Sequence, residues 1–276
     1  MKVTINDKEY YFDKLLYDNI MLIMEAVKKN WDGVIYVGGY EGDGKSVFAE
    51  QLAYLVDKTY CLDRCVFTPA QFIEAVNNAS PGQAVVYDEA QDAFESTAKD
   101  KSARLVKSLM TRIRKKNLYI FIVAPDFWRI NKYMFIHRSR AFIRVYASGL
   151  DRGYFEYYNR TKKHELMIRG KKNEHLCVPP NFRGRFTKWR VLNEEEYDDK
   201  KEEATQQLDE KENEDENKYF IIYKRLLFDK ELSEEDKARL SGYTTRTLRL
   251  HRAKHGKTAE NGGGTSNKQL IEGFVS

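Results

Sequence analysis

The feature that most constrains this chain is the run Gly39, Tyr40, Glu41, Gly42, Asp43, Gly44, Lys45, Ser46. It matches G-x-x-x-x-G-K-[ST] at every fixed position. An apolar stretch, Gly33 to Val37, precedes it, and a stretch with helical character, Ser46 to Val56, follows. Strand, glycine-rich turn and helix N-terminus, in that order, form the context the motif requires. The glycines let the backbone curl so that successive N–H groups point inward. Those donors and the positive helix end hold phosphate groups. Gly39, Gly42, Asp43, Gly44, Lys45, Ser46 and Val47 are therefore the candidate nucleotide-binding residues, with ATP as the expected ligand. Lys45 is placed to reach the β- and γ-phosphates, and the Ser46 hydroxyl to complete the shell of Mg2+. A chance glycine turn is the competing reading, and the flanking strand and helix argue against it.

Val85, Val86, Tyr87, Asp88 and Glu89 supply the expected second half: an apolar strand that ends in two acids. In open α/β sheets, ligands sit beyond the carboxyl ends of the strands. Asp88 is the candidate magnesium ligand, largely through water, and Glu89 the candidate general base for an attacking water. Alone the acid pair is a weak signal, since acidic residues commonly flank strands; the phosphate loop gives it meaning. Gln91 fits either a γ-phosphate sensor or a turn cap. Transition-state charge calls for a further cation. His137, Arg138, Ser139 and Arg140, just before an apolar strand at Ala141, supply the first candidates, Arg138 and Arg140, with Arg112 and Arg114 behind them. A surface basic turn or a nucleic-acid contact fits these arginines equally well.

Alternation of apolar runs with helical patterns predicts an α/β fold, a mostly parallel sheet covered by helices. Met1 to Phe12 reads as a hairpin turning at Asn6 and Asp7, and Lys14 to Lys29 as a helix with Leu15, Leu16, Ile20, Ile23 and Val27 on one face. Thr68 followed by Pro69 starts another helix, to about Asn77. Lys101 to Lys116 reads as a basic amphipathic helix with Leu105, Leu109 and Ile113 inward. Leu118 to Val123 is the next strand. After Gly149 the pattern changes: Tyr154 to Tyr158 and His164 to Ile168 look like a hairpin at the sheet edge. With 276 residues the chain has room for one large domain and a small one. The division expected is an ATPase domain over 1–193, a charged linker over 194–217, a helix-turn-helix-like domain over 218–257 and a flexible tail over 258–276. The stretch is assigned as a linker or an isolated charged helix because Glu, Asp, Lys and Gln dominate it, leaving little to bury. No apolar run approaches the ~18–20 residues of a membrane span. The N-terminus lacks a signal pattern, and three cysteines, an odd number, suggest reduced thiols and a cytoplasmic protein.

These residues resemble a family. The two nucleotide motifs, the run Asp88, Glu89, Ala90, Gln91, the basic helix ending near Asn117, the strand ending Ala124, Pro125 and the His137 to Arg140 cluster are similar to zonula-occludens-toxin-like ATPases of phages and mobile elements. More broadly they resemble FtsK/HerA-type translocase and packaging ATPases. The resemblance spans about Asp32 to Ser148. It implies homo-oligomeric rings that move or package double-stranded DNA, with each site completed by a neighbour's arginine, and a phage portal or capsid component as a partner.

The C-terminal part reads as a helix-turn-helix. Tyr219 to Phe228 is apolar and helical. Ser233 caps a helix in which Ala238 and Leu240 pack, Gly242 turns the chain, and Thr244 opens a second helix. Thr244, Thr245, Arg246, Arg249, Arg252 and Lys254 are the candidate DNA contacts, and no acidic residue occurs from Ser241 to Lys257. A helical hairpin that docks on a protein is the rival for this unit. For the whole chain the rivals are a DNA-binding ATPase switch without translocation, such as a replication or transposition accessory protein or helicase loader, and a regulator that binds ATP without turnover. No carboxylate cluster after Gly149 resembles a nuclease site.

Overall fold

In the computed structural model, residues 2–5, 8–31, 33–94, 101–208, 210, 233–241 and 243–250 are described. A small hairpin opens the chain, β1 (Lys2–Ile5) against β2 (Lys8–Tyr11). Helix α1 (Lys14–Lys28) follows, its N-terminus capped by Asp13, whose Oδ1 accepts from the Leu16 N–H at 2.9 Å. Leu16, Ile20, Ile23 and Val27 form its buried stripe, at the three-to-four-residue spacing of a helix face. Leu15 points outward instead.

The main sheet has seven strands in the order β4-β5-β6-β3-β7-β8-β9. Their ranges are β3 Gly33–Gly38, β4 Cys65–Val66, β5 Ala84–Tyr87, β6 Tyr119–Ala124, β7 Ala141–Ser148, β8 Asp151–Tyr158 and β9 Phe182–Arg185. The first five in sheet order run parallel; β8 and β9 each run antiparallel to the strand before them. Strands β3, β5 and β6 are buried along their whole length, as expected where helices cover both faces. One face packs Val34, Tyr36, Phe72, Tyr87, Met110, Phe135 and Leu166; the other packs Leu16, Ile35, Val37, Phe48, Leu52 and Phe121. The first face is covered by α3 (Pro69–Asn78), α5 (Lys101–Arg112) and α6 (Arg160–Gly170), the second by α1 and α2 (Lys45–Val56). A four-residue helix, α4 (Gln91–Phe94), follows the acid pair. Thr68 and Gln71 form a reciprocal capping box at the start of α3.

Three expectations are corrected. The segment from His164 to Ile168 is no hairpin arm but the middle of α6, started by Asn159, whose Oδ1 accepts from the Lys162 N–H at 3.0 Å. The edge hairpin is β7–β8, turned at Gly149 with φ 63°. The inward stripe of α5 is Val106, Met110 and, just beyond it, Ile113, so Leu105 is half-exposed. Finally, the first part of the charged linker is a packed helix, α7, over 194–208. Tyr197 and Ala204, seven positions apart on one face, are buried in the α1/α2 side of the core.

The chain divides into two compact units, Met1–Gln206 and Gln207–Ser276. In the second, α8 (Glu234–Ser241) is capped by Ser233, whose Oγ accepts from the Asp236 N–H at 3.1 Å. A further helical stretch covers 245–250, capped by Thr244, which accepts from the Thr247 N–H at 3.2 Å. Leu248 packs on Ala238, whereas Leu240, expected to pack, is exposed. The segment Tyr219 to Phe228 lies outside the described residues. Among the described residues no helix is long and apolar enough to cross a membrane.

Candidate functional site

Every element of the candidate site meets the sheet at one edge, where β3, β5 and β6 end. The phosphate loop leaves β3 at Gly38, the acids leave β5 at Tyr87, and Pro125 leaves β6. Strand β6 lies between β3 and β5, so the loop and the acids stand two strand spacings apart, about 10 Å. That separation leaves room for a chain of phosphates.

The loop is built by its glycines. Gly39, Gly42 and Gly44 have φ of 146°, 79° and 95°, a region L side chains rarely adopt. At Gly39 space matters as well, because a Cβ would lie 2.1 Å from the Val145 carbonyl oxygen. Asp43 ties the turn, its Oδ2 accepting from the Tyr40 N–H at 2.9 Å. Lys45 Nζ donates to the Tyr40 carbonyl at 2.8 Å, so the ammonium lies back over the loop. Burial lowers its pKa, against the pull of Asp88, Glu89, Asp43 and Glu41.

Asp88 is buried. Its Oδ1 accepts from the Glu89 N–H at 3.0 Å, and its Oδ2 accepts from the hydroxyl of Tyr197 in α7. The Ser46 hydroxyl and the Asp88 carboxylate line the same cleft, and both are oxygen donors of the kind a hard divalent cation uses. Burial, then the Asp88 charge, raises the Tyr197 pKa well above that of a free phenol, so it stays a donor. Among the described residues no three His, Cys, Asp or Glu side chains gather as a metal cluster. Two protein oxygens with the rest from phosphate and water is how Mg2+ is usually held. Glu89 stands on a left-handed backbone, φ 54°, and pairs with Lys201 of α7 at 2.8 Å.

The cleft between loop and acids measures 410 Å³ and is bordered by Gly42, Lys45, Ser46, Asp88 and Glu89. Its cations are Arg152, Lys188, Arg190 and Lys201. The topology brings them there: β8 begins, and β9 ends, at the loop edge. Phe186, just past β9, packs on Phe48 of α2 with ring centroids 4.3 Å apart and would meet a Cβ on Gly44 at 3.6 Å. Arg190 pairs with the fully buried Glu50 at 2.7 Å and lies over the Tyr197 ring at 4.5 Å. Burial pushes the Glu50 carboxyl up to about 7, against the pull of Arg190.

Arg138 and Arg140, expected as the extra cation that completes a neighbour's site, do not line the cleft of their own chain. Arg138 and Arg140 precede β7, at the amino edge of the sheet. The Arg140 N–H donates to Val34, at the start of β3, at 2.7 Å. Arg138 donates to the Met110 carbonyl at 2.6 Å, and the Arg140 guanidinium lies 4.6 Å from the Trp31 ring centroid. A strand of six residues, roughly 20 Å, separates them from the phosphate loop of their own chain. The physical reason is simple: residues that enter a parallel strand lie at the edge opposite those that leave one. In the second unit, Thr244, Thr245, Arg246 and Arg249 lie at or near the start of the 245–250 helix. Arg252 and Lys254 lie outside the described residues, as do the side chains of Gln91, Arg112 and Arg114.

A mostly parallel sheet with a phosphate loop between strand and helix, and acids at the end of a strand one removed, is the fold of a P-loop NTPase. No family model and no curated protein sequence matches the chain. Among solved structures it is similar to the N-terminal domain of zonular occludens toxin from Neisseria meningitidis, at 13% identity and TM-score 0.39, over 61% of this chain and 98% of that one. It is also similar to the genome packaging NTPase B204 from Sulfolobus turreted icosahedral virus 2, solved in complex with ATP-gammaS, at 10% identity and TM-score 0.36, over 49% and 94%. A third similarity is to a chain of the HORMA:CdnC:Trip13 complex of E. coli MS115-1, at 14% identity and TM-score 0.33, over 56% and 70%. These likenesses are distant, and the chemistry rests on this chain's own residues.

Proposed function

We propose that this chain binds and hydrolyses ATP and uses the energy to handle double-stranded DNA, as a translocating or packaging motor. The observation that carries the ATPase reading is the one cleft lined by Lys45 and Ser46 of the phosphate loop and by Asp88 and Glu89 of the acid pair. The glycine-rich backbone cradles the phosphates, and Lys45 leaves the Tyr40 carbonyl to neutralise the β- and γ-phosphates. Ser46 and Asp88 hold Mg2+, which when bound screens the phosphate charge. Glu89, freed from Lys201, orients a water and takes its proton. Arg152, Lys188 and Arg190 are the chain's own cations within reach of developing charge. In the second unit Thr244, Thr245, Arg246, Arg249, Arg252 and Lys254 supply phosphate and groove contacts. Assembly into a ring, with a portal or capsid component as partner, belongs to the same reading.

A second reading is a DNA-binding switch that hydrolyses ATP without translocation. It is favoured by one observation: Tyr197 and Lys201 of one helix hold both acids, a contact that nucleotide would have to exchange. Magnesium-dependent hydrolysis, measured with and without duplex DNA, tests the ATPase reading. Glu89→Gln should keep nucleotide binding and lower turnover by about 10²- to 10⁴-fold, the usual worth of a general base. Unchanged turnover in that variant refutes the assignment of the base.

A further inference from the structure

Strands β7, β8 and β9 extend the sheet past the phosphate loop, and their two faces differ. One face carries Ile143, Val145, Phe155, Tyr157 and Phe182 into the core. The other is polar and aromatic. Register places Tyr146 beside Tyr154 and Tyr154 beside Arg185; in the next row Arg144 lies beside Glu156 and Glu156 beside Arg183. Near the amino end of β7 this second face is buried, with Phe142 and Tyr158 packed beside Leu166 of α6. Toward the loop edge it opens to solvent: Tyr146, Tyr154 and Arg144 are half-buried, Arg183 and Arg185 exposed.

The open part is ordered by its own contacts. The rings of Tyr146 and Tyr154 stack at 5.6 Å and 28°, and the Arg185 guanidinium lies over Tyr154 at 4.6 Å. Below them the buried Glu156 accepts from Arg144 Nη1 at 3.1 Å, Arg183 Nε at 2.9 Å and the Tyr158 hydroxyl at 3.1 Å. Each arginine gives that carboxylate one of its five N–H donors and keeps the rest. Arg152, at the start of β8, adds a further positive charge; Asp151 beside it is the exposed carboxylate on this stretch. Beside this face a trough of 570 Å³ leads to the phosphate loop; Glu41, Asp126 and Glu174 line it with Arg144, so the phosphate contacts are confined to the strands themselves. Tyr40 stands at the loop, 76% exposed.

We infer that the open face of β7–β8–β9 binds single-stranded nucleic acid, with Tyr146 and Tyr154 as the stacking platform for bases and Arg144, Arg183 and Arg185 as phosphate contacts. Tyrosine rings stacked on an open sheet face, with Arg144 over Tyr146 at 5.3 Å and Arg185 over Tyr154, suit a polymer that alternates flat π-faces with anions and can exchange its own bases and phosphates for these contacts. A duplex hides its base faces in the stack and offers these tyrosines nothing. Tyr146, Tyr154, Arg144, Arg183 and Arg185 lie outside the cleft between loop and acids, which the face shares only at Arg152, so binding without ATP is expected, and the inference stands apart from the ATPase reading.

The test uses the full chain without nucleotide. Anisotropy is measured with a fluorescent oligothymidylate and with a duplex of the same length. The Tyr146→Ala, Tyr154→Ala double variant should bind the single strand at least about tenfold more weakly, because base–aromatic stacking is worth ~1–3 kcal/mol per base. The Tyr146→Phe, Tyr154→Phe double variant keeps the rings and should bind as the parent does. Arg185→Gln, at an exposed position the fold does not need, should flatten the salt dependence by about 0.7 of a unit. Photocrosslinks from a thiothymidine oligonucleotide should map to 144–156 and 183–185. Parent-like affinity in a folded alanine double variant overturns the inference. So do crosslinks confined to 244–257, and so does a duplex that binds as tightly as the single strand and loses nothing on Tyr146→Ala, Tyr154→Ala.

Discussion

The phosphate loop and the acid pair face each other across one strand, yet they are held in opposite ways. The loop is tied by its own neighbours: Asp43 bonds Tyr40 three residues away, and Lys45 bonds Tyr40 five residues away. The acids are tied from afar, Asp88 by Tyr197 across 109 positions and Glu89 by Lys201 across 112. A locally closed turn keeps its shape whatever α7 does. The acids are in their present state only while α7 is seated. The loop is the fixed half of the site and the acid pair the half that can change state.

The largest expected effect tests the fixed half. Lys45→Ala removes an ammonium aimed at the phosphates, and Mg·ATP affinity should fall by roughly a hundredfold or more. Calorimetry showing near-parent affinity would sink the loop assignment, whatever the acids do. The next probes the half that changes. Tyr197→Phe keeps the buried ring and removes the hydroxyl that is bonded to Asp88. Hydrogen bonds to charged groups contribute ~1.5–3 kcal/mol, so Mg·nucleotide should bind about tenfold more tightly. Weaker binding would mean that the phenol helps to build the site, and the contrast between the halves would fail. The smallest effect belongs to Lys201→Ala. Its ion pair with Glu89 is partly exposed, 37% and 53%, and such pairs are worth only ~0–1 kcal/mol. Basal turnover should rise by no more than about fivefold. A rise larger than that of Tyr197→Phe would make Glu89, and not Asp88, the acid that α7 controls.

The same contrast explains what could be read from the sequence. The loop was legible because its geometry is set by residue types at fixed spacing: glycines at positive φ, a lysine, a hydroxyl. Strands β3, β5 and β6 were legible because burial on both faces leaves unbroken apolar runs. Helix α7 was not, since Tyr197 and Ala204 are its buried residues in a stretch of charges, and a face that narrow looks like a tether. Arg152, Lys188 and Arg190 reach the cleft through the order of β7, β8 and β9, which no local pattern encodes. The edge on which Arg138 and Arg140 lie had a signal available. They precede a strand that runs parallel to β3, which sends them to the edge away from the loop. The edge hairpin was displaced by one element because Tyr154 to Tyr158 pairs backward with β7 and forward with β9, past the helix that holds His164 to Ile168.

Glu89 combines a left-handed backbone, φ 54°, with the side chain assigned to proton transfer. Glycine or asparagine would occupy that conformation at lower cost. A population of variants ranked by melting temperature alone would therefore enrich for replacements at position 89, and would discard the carboxylate while improving the score. Any thermostabilised version of this chain must be selected with turnover as a second criterion, because at this residue heat resistance and chemistry favour different amino acids.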